Sequence, residues 1–249
     1  MFKLTLPLDL EYHLFSKNNK AFSTSKADHL RHYSQHIVSI QHNVGLSTYL
    51  SDNPIVLPRP ISLSSSFQEV LENRHSSRDF NGQSILLEEL STLLALATGY
   101  KQIDTKRKYV PSSGGFNEVE AFIIVLNVEN ILPGIYYYNA SDHTLHCISL
   151  GNYSTWVQED LFYQEDWAKA SVIFILAAQL GRLREKYQHR AYRLCLLDVG
   201  HSAQNLYLGA SALELKVCEV LGYIESEIEK ALDLDEIITP TFSTIVIGK

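Results

Sequence analysis

Two arginines and a serine stand close together in the segment RHSSR, residues 74–78. Arg74, Ser76 and Arg78 could bind a phosphate group, because guanidinium groups form paired hydrogen bonds with phosphate oxygens. The segment follows a predicted helix, whose negative C-terminal end opposes an anion by roughly 0.3–1 kcal/mol. Two charge-assisted hydrogen bonds of about 1.5–3 kcal/mol each outweigh that cost. An exposed polar loop is the alternative interpretation.

A second candidate is the segment YVPSSGGFNEVEAF, which joins small residues directly to a predicted strand. Its first part contains Pro111, Ser112, Ser113 and Gly114. A backbone with such small side chains could lie flat against a planar ligand and donate its N–H groups to the ligand's heteroatoms. An ordinary turn before a strand is the alternative interpretation.

The segment EKYQHRAYR, residues 185–193, gathers cations and aromatic residues before a long apolar stretch. Its candidates for moving a substrate proton are Lys186, Tyr187 and His189. Ordinary lysine and tyrosine side chains are almost wholly protonated at neutral pH, so a base of either type needs an environment that favours loss of the proton. In one continuous helix, Arg190 lies one turn from Lys186 and Arg193 continues that face. A solvated helix start is the alternative interpretation.

The composition of the 249 residues limits the classes of function. Hydrophobic residues make up 45% of the chain, which suffices for the packed core of one sizeable domain. The formal net charge is −7 at pH 7, and the basic residues occur only in short clusters. A nucleic-acid-binding domain needs a basic surface, so the sequence argues against a nucleic-acid partner.

Three cysteines, Cys147, Cys195 and Cys218, stand far apart without a CxxC pair or a Cys/His ligand spacing. This pattern predicts reduced core thiols in a cytoplasmic protein and no metal site. The start of the chain lacks the apolar run of a signal peptide, and nowhere do 18 apolar residues follow one another. We therefore expect neither export nor a membrane span.

The segment DNPIVLPRP divides the chain, because its three prolines prevent a continuous helix. Residues 1–60 are predicted to form an N-terminal arm or small lobe, and residues 61–249 the main domain. No internal repeat or low-complexity segment interrupts the main domain.

Two predicted helices flank the polar loop 74–84. Ser66 and Glu69 have the spacing of a capping box, which predicts a short helix ending near Arg74. The segment ILLEELSTLLALATGY keeps a helical spacing of its leucines and ends at Gly99.

Strands are predicted in the rest of the main domain at 120–128, at 170–178 and in the C-terminal TFSTIVIGK, with a hairpin in GIYYYNASDHTLHCISL. The proline-free residues 182–215 predict one long helix. Its small-residue face comprises Gly200, Ala203, Gly209, Ala210 and Ala212. A last short helix, ESEIEKALDL, is predicted to be capped by Ser226 and Glu229. The elements indicate an α+β fold in which helices wrap a central, mostly antiparallel sheet.

The order of these segments resembles the nitroreductase superfamily of FMN enzymes, and within it the SagB-type branch. That branch comprises the thiazoline and oxazoline oxidases of ribosomal-peptide clusters such as the microcin and streptolysin systems. The segments GHSAQNLYL, LGY and IGK follow in the same order as in the family, and EYHLFSK is similar to the YHxxTK opening of the branch. The resemblance covers residues 65–249 well and residues 10–60 loosely.

The resemblance implies a role for each candidate residue. Arg74, Ser76 and Arg78 would hold the phosphate and ribityl chain of FMN. Pro111, Ser112, Ser113 and Gly114 would lie along the flavin ring, with Gly222 and Tyr223 on its other side. Lys186 and Tyr187 match the Lys-Tyr pair of the azoline oxidases. Where the family commonly has tyrosine and proline, this chain has Asn117 and Glu118, which puts the substrate-facing rim in doubt.

The implied activity is FMN-dependent oxidation of peptide thiazolines or oxazolines to thiazoles or oxazoles. The implied partners are a second copy of the chain, packed through residues 190–213, the cyclodehydratase subunits of a heterocycle synthetase, and a peptide substrate. An NAD(P)H-dependent nitro- or quinone-type reductase, which needs no Lys-Tyr pair, is one alternative. A non-catalytic flavin-fold subunit of a synthetase complex is another.

Overall fold

The computed structural model describes residues 7–17, 46–101, 104–163 and 167–249, and of residues 104–106 it describes the backbone alone. It has the predicted α+β fold. The described residues contain nine strands, which are β1 (Ile55–Val56), β2 (Tyr100–Lys101), β3 (Asp104–Lys108), β4 (Val119–Val125), β5 (Gly134–Asn139), β6 (Thr144–Leu150), β7 (Val172–Ala178), β8 (Lys216–Val220) and β9 (Thr241–Gly248).

Seven of these strands form one sheet in the order β1-β6-β5-β4-β7-β9-β8, and every neighbouring pair in it is antiparallel. Strands β2 and β3 form a separate two-stranded sheet. Strand β1 lies within the predicted N-terminal arm and pairs with β6. Most of that arm, including residues 1–6 and 18–45, lies outside the described residues, and the boundary at residue 60 stays a prediction.

The α-helices are α1 (Leu8–Phe15), α2 (Phe67–Asn73), α3 (Leu87–Thr98), α4 (Ser154–Trp156, continued by a π turn at Val157–Leu161), α5 (Leu180–Tyr187), α6 (Ala191–Ala212) and α7 (Glu225–Leu232). Helices α3 and α6 cover one face of the sheet, and α4 and α7 cover the other. Strand β4 is therefore buried on both faces. Among the described helices, none is both long and apolar enough to cross a membrane.

The local signals for the first helices of the main domain are confirmed. The Ser66 hydroxyl accepts the N–H of Glu69 at 3.2 Å, and the Glu69 carboxylate accepts the N–H of Ser66 at 2.8 Å. Helix α2 ends at Asn73 with Arg74 as its C-cap residue. Helix α3 ends before Gly99, as predicted.

The prediction of one long helix over residues 182–215 is wrong. Helix α5 ends at Tyr187, a 3₁₀ turn follows at Gln188–Arg190, and α6 begins at Ala191. Gln188 has a φ of 51°, which is incompatible with a continuing right-handed helix. No proline or glycine marks this break in the sequence.

The small residues of α6 pack mainly inside the chain. A Cβ atom at Gly209 would lie 2.7 Å from Leu96 Cδ1 of α3, so this glycine lets the two helices approach closely. Ala203 is buried as well, at 2% exposure. A Cβ atom at Gly200 would meet nothing within 4 Å, so only this position of the three faces open space.

Two further local predictions are wrong. Ser226 is not the cap of α7, because the helix begins one residue earlier and follows Ile224. Glu229 instead accepts the backbone N–H of Thr241 at 3.3 Å, which ties α7 to β9. All three cysteines are free, but Cys147 is exposed rather than part of the core, because it lies where β6 emerges from the covered sheet.

Candidate active site

The glycine loop, residues 111–117, precedes strand β4 and folds back on itself. The Ser112 hydroxyl accepts the N–H of Asn117 at 2.7 Å. Gly114 and Gly115 have φ values of 63° and 73°, a conformation that glycine adopts without strain. The loop is a fixed turn rather than an open linker.

Two buried carboxyl groups support the glycine loop from below. Asp198 of α6 accepts the backbone N–H of Ser113 at 2.6 Å. Glu118 accepts the hydroxyl of Ser112 at 2.9 Å. Glu118 is fully buried, so the departure from the family pattern at this position lies beneath the loop and not on its rim.

Lys186 and Tyr187 reach the glycine loop from the last turn of α5. A Cβ atom at Gly114 would overlap the Tyr187 hydroxyl oxygen and would lie 3.1 Å from Lys186 Nζ. Lys186 Nζ also lies 5.2 Å from the ring centroid of Phe116. The structure therefore brings together two sets of candidate residues that are far apart in the sequence.

The two arginines that follow this pair contact the N-terminal helix. Arg190 Nη1 donates to the Ser16 carbonyl oxygen at 3.0 Å, and Arg193 Nη2 donates to Ser16 Oγ at 2.6 Å. Both cations meet the C-terminal end of α1, where helix carbonyl groups carry partial negative charge. The prediction that they continue the face of Lys186 is wrong, because the helix is interrupted at Gln188.

The EYHLFSK segment packs beside the start of α6. The Tyr12 ring makes an edge contact with the Tyr192 ring at 5.7 Å between centroids. The Tyr12 hydroxyl donates to the His189 carbonyl oxygen at 3.4 Å. His189, the rival candidate for the base, is exposed in the 3₁₀ turn.

The arginine loop, residues 74–78, is organised by Tyr207 of α6. The Tyr207 hydroxyl lies 2.9 Å from Ser76 Oγ and accepts the N–H of Glu219 at 2.8 Å. The guanidinium carbon of Arg74 lies 5.6 Å from the centroid of the Tyr207 ring. One side chain thus joins the arginine loop to α6 and to β8.

Arg78 and Gly222 line a single cavity of about 750 Å³. The aromatic side chains of Tyr163 and Trp167 line the same cavity. Its volume lies within the range of ligand pockets, and its lining combines aromatic and aliphatic side chains with a guanidinium group that is able to bind a phosphate. The cavity therefore fits one end of a ligand such as FMN.

Tyr223 does not line that cavity. Its side chain is 2% exposed and packs in the core beneath the sheet. Burial raises the pKa of Tyr223 to about 12. The residue can position Gly222 through the backbone, whereas its ring is part of the core.

A second cavity of about 480 Å³ opens beside the glycine loop, and Pro111, Ser112 and Gly114 line it. None of the residues that line the first cavity lines the second. Asp198, which holds the glycine loop, and Tyr207, which holds the arginine loop, are nine residues apart on α6. Nine residues are about two and a half turns, so the two loops contact opposite sides of the helix.

A buried polar network lies behind the second cavity. Glu120 accepts the Tyr137 hydroxyl at 3.0 Å and a hydrogen bond from Gln179 Nε2. Burial raises the pKa of Glu120, although the neighbouring Lys108 lowers it. Burial lowers the pKa of Lys108. The network fixes the base of β4 directly behind the glycine loop.

Three residues that hold the two loops, Glu118, Asp198 and Tyr207, are not among the predicted site residues, and the sequence carries a weak signal for the first two alone. Asp198 is the only acidic residue in the apolar run LCLLDVGHSA. Glu118 stands out in the sequence only as a departure from the family pattern. Tyr207 carried no signal, because a tyrosine in an apolar helix is ordinarily a core residue.

The Nitroreductase family model matches residues 71–249. The protein MJ1384 of Methanocaldococcus jannaschii, which carries a nitroreductase name, is 30% identical over 169 residues that cover 68% of this chain and 85% of that protein. The microcin B17-processing protein McbC of Escherichia coli is 27% identical over 199 residues, covering 74% of this chain and 72% of McbC. The trifolitoxin-processing protein TfxB of Rhizobium leguminosarum bv. trifolii is 29% identical over 148 residues, but only 40% of TfxB is covered.

Solved structures share the fold. A nitroreductase of Anabaena variabilis superposes with a TM-score of 0.72 at 23% identity, covering 88% of this chain and 46% of that one. A chain of the E. coli microcin synthetase McbBCD complex with truncated pro-MccB17 bound superposes with a TM-score of 0.62 at 22% identity, covering 100% of this chain and 99% of that one. A nitroreductase of Exiguobacterium sibiricum solved in complex with FMN gives a TM-score of 0.54 at 14% identity, covering 76% and 90% of the two chains.

Proposed function

Because the chain belongs to the nitroreductase family, we propose that it binds FMN and dehydrogenates thiazoline or oxazoline rings of a peptide to thiazoles or oxazoles. The observation that carries the proposal is the contact of Lys186 and Tyr187 with Gly114 of the glycine loop. The names of McbC and TfxB, which describe peptide processing, support the substrate class. The fold shared with a chain of the microcin synthetase complex supports cyclodehydratase partners.

The FMN would be held at two places. Arg74, Ser76 and Arg78 would bind its phosphate and ribityl chain, because Arg78 lines the first cavity and Arg74 and Ser76 contact Tyr207, which organises the same loop. The glycine loop would lie along the ring and donate backbone N–H groups to it, and Gly222 would face the other side. Solved structures of the same fold that contain FMN support the choice of cofactor.

Aromatisation of an azoline removes a proton from one ring carbon and a hydride from its neighbour. When bound, FMN would accept the hydride. Lys186 Nζ or the Tyr187 hydroxyl oxygen would take the proton, since both atoms lie against the loop that would face the flavin ring. The ring contact between Phe116 and Tyr187, at 6.2 Å between centroids, holds the pair in this place.

Variants of the pair test the proposal. Lys186→Ala and Tyr187→Phe should keep FMN bound while azole formation falls by about 10²–10⁴-fold, the usual contribution of a general base. Arg184→Ala, an exposed cation on the same helix, is the matched control and should change azole formation little. Flavin content is measured in each variant. Full azole formation by the double variant with flavin retained would rule out both side chains as the base and turn attention to His189.

A nicotinamide-dependent nitro- or quinone-type reductase is the second candidate, and the similarity to MJ1384 favours it. In a reductase the hydride arrives from the nicotinamide, so no base is needed beside the ring. Lys186→Ala and Tyr187→Phe would then change turnover of a nitro or quinone acceptor only modestly.

We also propose that the active unit is a homodimer with composite sites. The arginine loop and the glycine loop contact opposite sides of α6 and line separate cavities. Within one chain, the arginine half of the site (the arginine loop with the first cavity) therefore does not face the glycine half (the glycine loop with the second cavity). Leu196 and Leu197 of α6 are 47% and 57% exposed and lie beside the open position of Gly200. This apolar strip is suited to pairing with a second copy.

Complementation between variants tests the composite site. Arg78→Ala damages the arginine half and Lys186→Ala damages the glycine half. In a mixed dimer of the two variants, one site receives both damaged halves and the other receives two intact halves. Co-expression should therefore restore azole formation that neither variant shows alone. No recovery in an isolated mixed dimer would place each site within one chain.

A further inference from the structure

Two buried carboxyl groups lie together beneath the glycine loop. Glu118 is 0% exposed and Asp198 is 5% exposed. Glu118 Oε1 is buried and receives no hydrogen bond from a donor group in the described part of the chain. The Asp198 carboxyl lies within hydrogen-bonding reach of the Glu118 carboxyl. A proton on one of the two groups would supply a bond that two carboxylates cannot form.

The surroundings of this pair favour the shared proton. Burial, and then the neighbouring Asp198, raise the pKa of Glu118 to about 8. The titratable groups that face the pair are Cys195 and His201 from α6 and Lys108 from β3. Burial raises the pKa of the Cys195 thiol, and His201 Nδ1 lies 3.7 Å from Asp198 Oδ1 on a half-exposed side chain. Lys108 attracts Glu118 but is itself buried, so it does not replace the proton.

Each carboxyl holds a different part of the glycine loop. Asp198 Oδ2 accepts the Ser113 N–H, and Glu118 Oε2 accepts the Ser112 hydroxyl. The same hydroxyl accepts the Asn117 N–H, which closes the loop around Gly114. Separation of the two carboxyl groups would therefore pull the two serines apart. The position of Gly114 against Lys186 and Tyr187 depends on the same contacts.

We propose that Glu118 and Asp198 share one proton and act as positioning residues that hold the glycine loop in its FMN-binding shape. When the proton is lost, two adjacent buried carboxylates repel each other and the loop loses that shape. Flavin affinity would then depend on the protonation of a pair that need not touch the flavin. The inference rests on the proposed function only in requiring that the chain binds FMN.

The experiment measures the Kd of FMN for the full-length apoprotein between pH 6 and pH 10, by quenching of flavin fluorescence. For the native chain, Kd should rise with a midpoint near the pKa of Glu118, by about tenfold per pH unit above it if the proton is required. Glu118→Gln should bind tightly without this rise, because its amide donates to Asp198 permanently and its oxygen still accepts from Ser112. Glu118→Ala should bind weakly at every pH.

Three controls separate the effect of the shared proton from other causes of a pH-dependent Kd. His201→Ala removes the other titratable group beside Asp198 and should keep the native pH profile. Titration of FMN itself is common to all variants and cancels in their comparison. Asp198→Asn provides the same test if Glu118→Gln does not fold, because its carbonyl still accepts from Ser113 and its amide donates to Glu118.

The outcomes are distinguishable from those of the proposed function. A rise in Kd for Glu118→Gln equal to that of the native chain would overturn the shared-proton role. A folded Glu118→Gln that binds weakly at every pH would overturn it too. FMN binding with the predicted pH profile, but without azole formation, would overturn the proposed function and leave this inference standing. An apoprotein that binds no FMN at any pH would overturn both.

Discussion

The glycine loop and the arginine loop are both tied to α6, but by different kinds of contact. The glycine loop rests on two buried carboxyl groups, Glu118 and Asp198. The arginine loop rests on the neutral hydroxyl of Tyr207. Directly after that loop, Asp79 forms an ion pair with Lys216 of β8, in which Lys216 Nζ lies 3.1 Å from Asp79 Oδ2 and the Asp79 side chain is largely exposed.

The two kinds of contact differ in how strongly a substitution or a change of pH should perturb them. A buried charge that loses its partner costs several kcal/mol of stability, because water cannot replace the lost contact. An exposed ion pair contributes little, because water and salt screen it. Substitutions and pH should therefore perturb the glycine half much more than the arginine half.

The largest effect is expected at Gly114. In Gly114→Ala, the new methyl group overlaps the Tyr187 hydroxyl and crowds Lys186 Nζ, so the pair must move. Azole formation should fall by about 10²-fold or more, as for loss of the base. Gly115→Ala is the matched control, because it has a similar φ of 73° but open space around the new methyl group. Equal losses in both variants, with flavin content measured, would mean that backbone strain and not the contact decides activity.

The pH dependence of stability should come from the glycine half. The folded-state pKa of Glu118 is raised to about 8, so its protonation stabilises the fold fully below its ordinary value near 4.5. This stabilisation is lost as the pH rises towards 8, by up to about 1.4 kcal/mol per pH unit. Denaturant unfolding of the native chain and of Glu118→Gln at pH 5–9 measures it. Parallel curves for the two proteins would contradict the assignment.

A smaller effect is expected at Tyr207 of the arginine half. Tyr207→Phe removes the hydroxyl that contacts Ser76 and the N–H of Glu219, which should lower the free energy of unfolding by about 1–2 kcal/mol at every pH. FMN should also bind more weakly. Tyr192→Phe, on the exposed part of the same helix, is the control. An equal effect of the two changes would show that Tyr207 does not organise the loop.

The smallest effect is expected at Asp79. The Ser77 hydroxyl, followed by Lys216, lowers the pKa of this exposed carboxyl to about 2. Its stabilisation is present above the ordinary pKa near 3.8 and is lost as the pH falls through 2. At pH 7 and moderate salt, Asp79→Asn should not move the unfolding midpoint resolvably. A shift as large as that of Tyr207→Phe would contradict the ranking of the two halves.

The sequence predicted those helices and strands that are specified by residues close together in the chain. The capping box of Ser66 and Glu69, the leucine spacing before Gly99 and the hairpin with its buried tyrosines each follow from residues close together in the chain. The fold and the two loops of the site could be anticipated from them and from their order.

Features that depend on distant contacts could not be predicted. The break at Gln188 has no proline or glycine, and the arginines after it bind Ser16 at the other end of the chain. Glu118 suggested an exposed rim, because burial of a carboxyl requires a partner that the sequence does not place beside it. Asp198, eighty residues later, is that partner.

The most direct test of the proposed activity is the first half-reaction without oxygen. Purified protein carrying FMN is mixed anaerobically with an azoline-containing peptide, and the flavin absorbance near 450 nm is followed. The account predicts bleaching by the peptide alone, with one azole formed for each flavin reduced and little bleaching by NADPH. Rapid bleaching by NADPH, with none by the azoline peptide, would contradict it and identify a nicotinamide-dependent reductase.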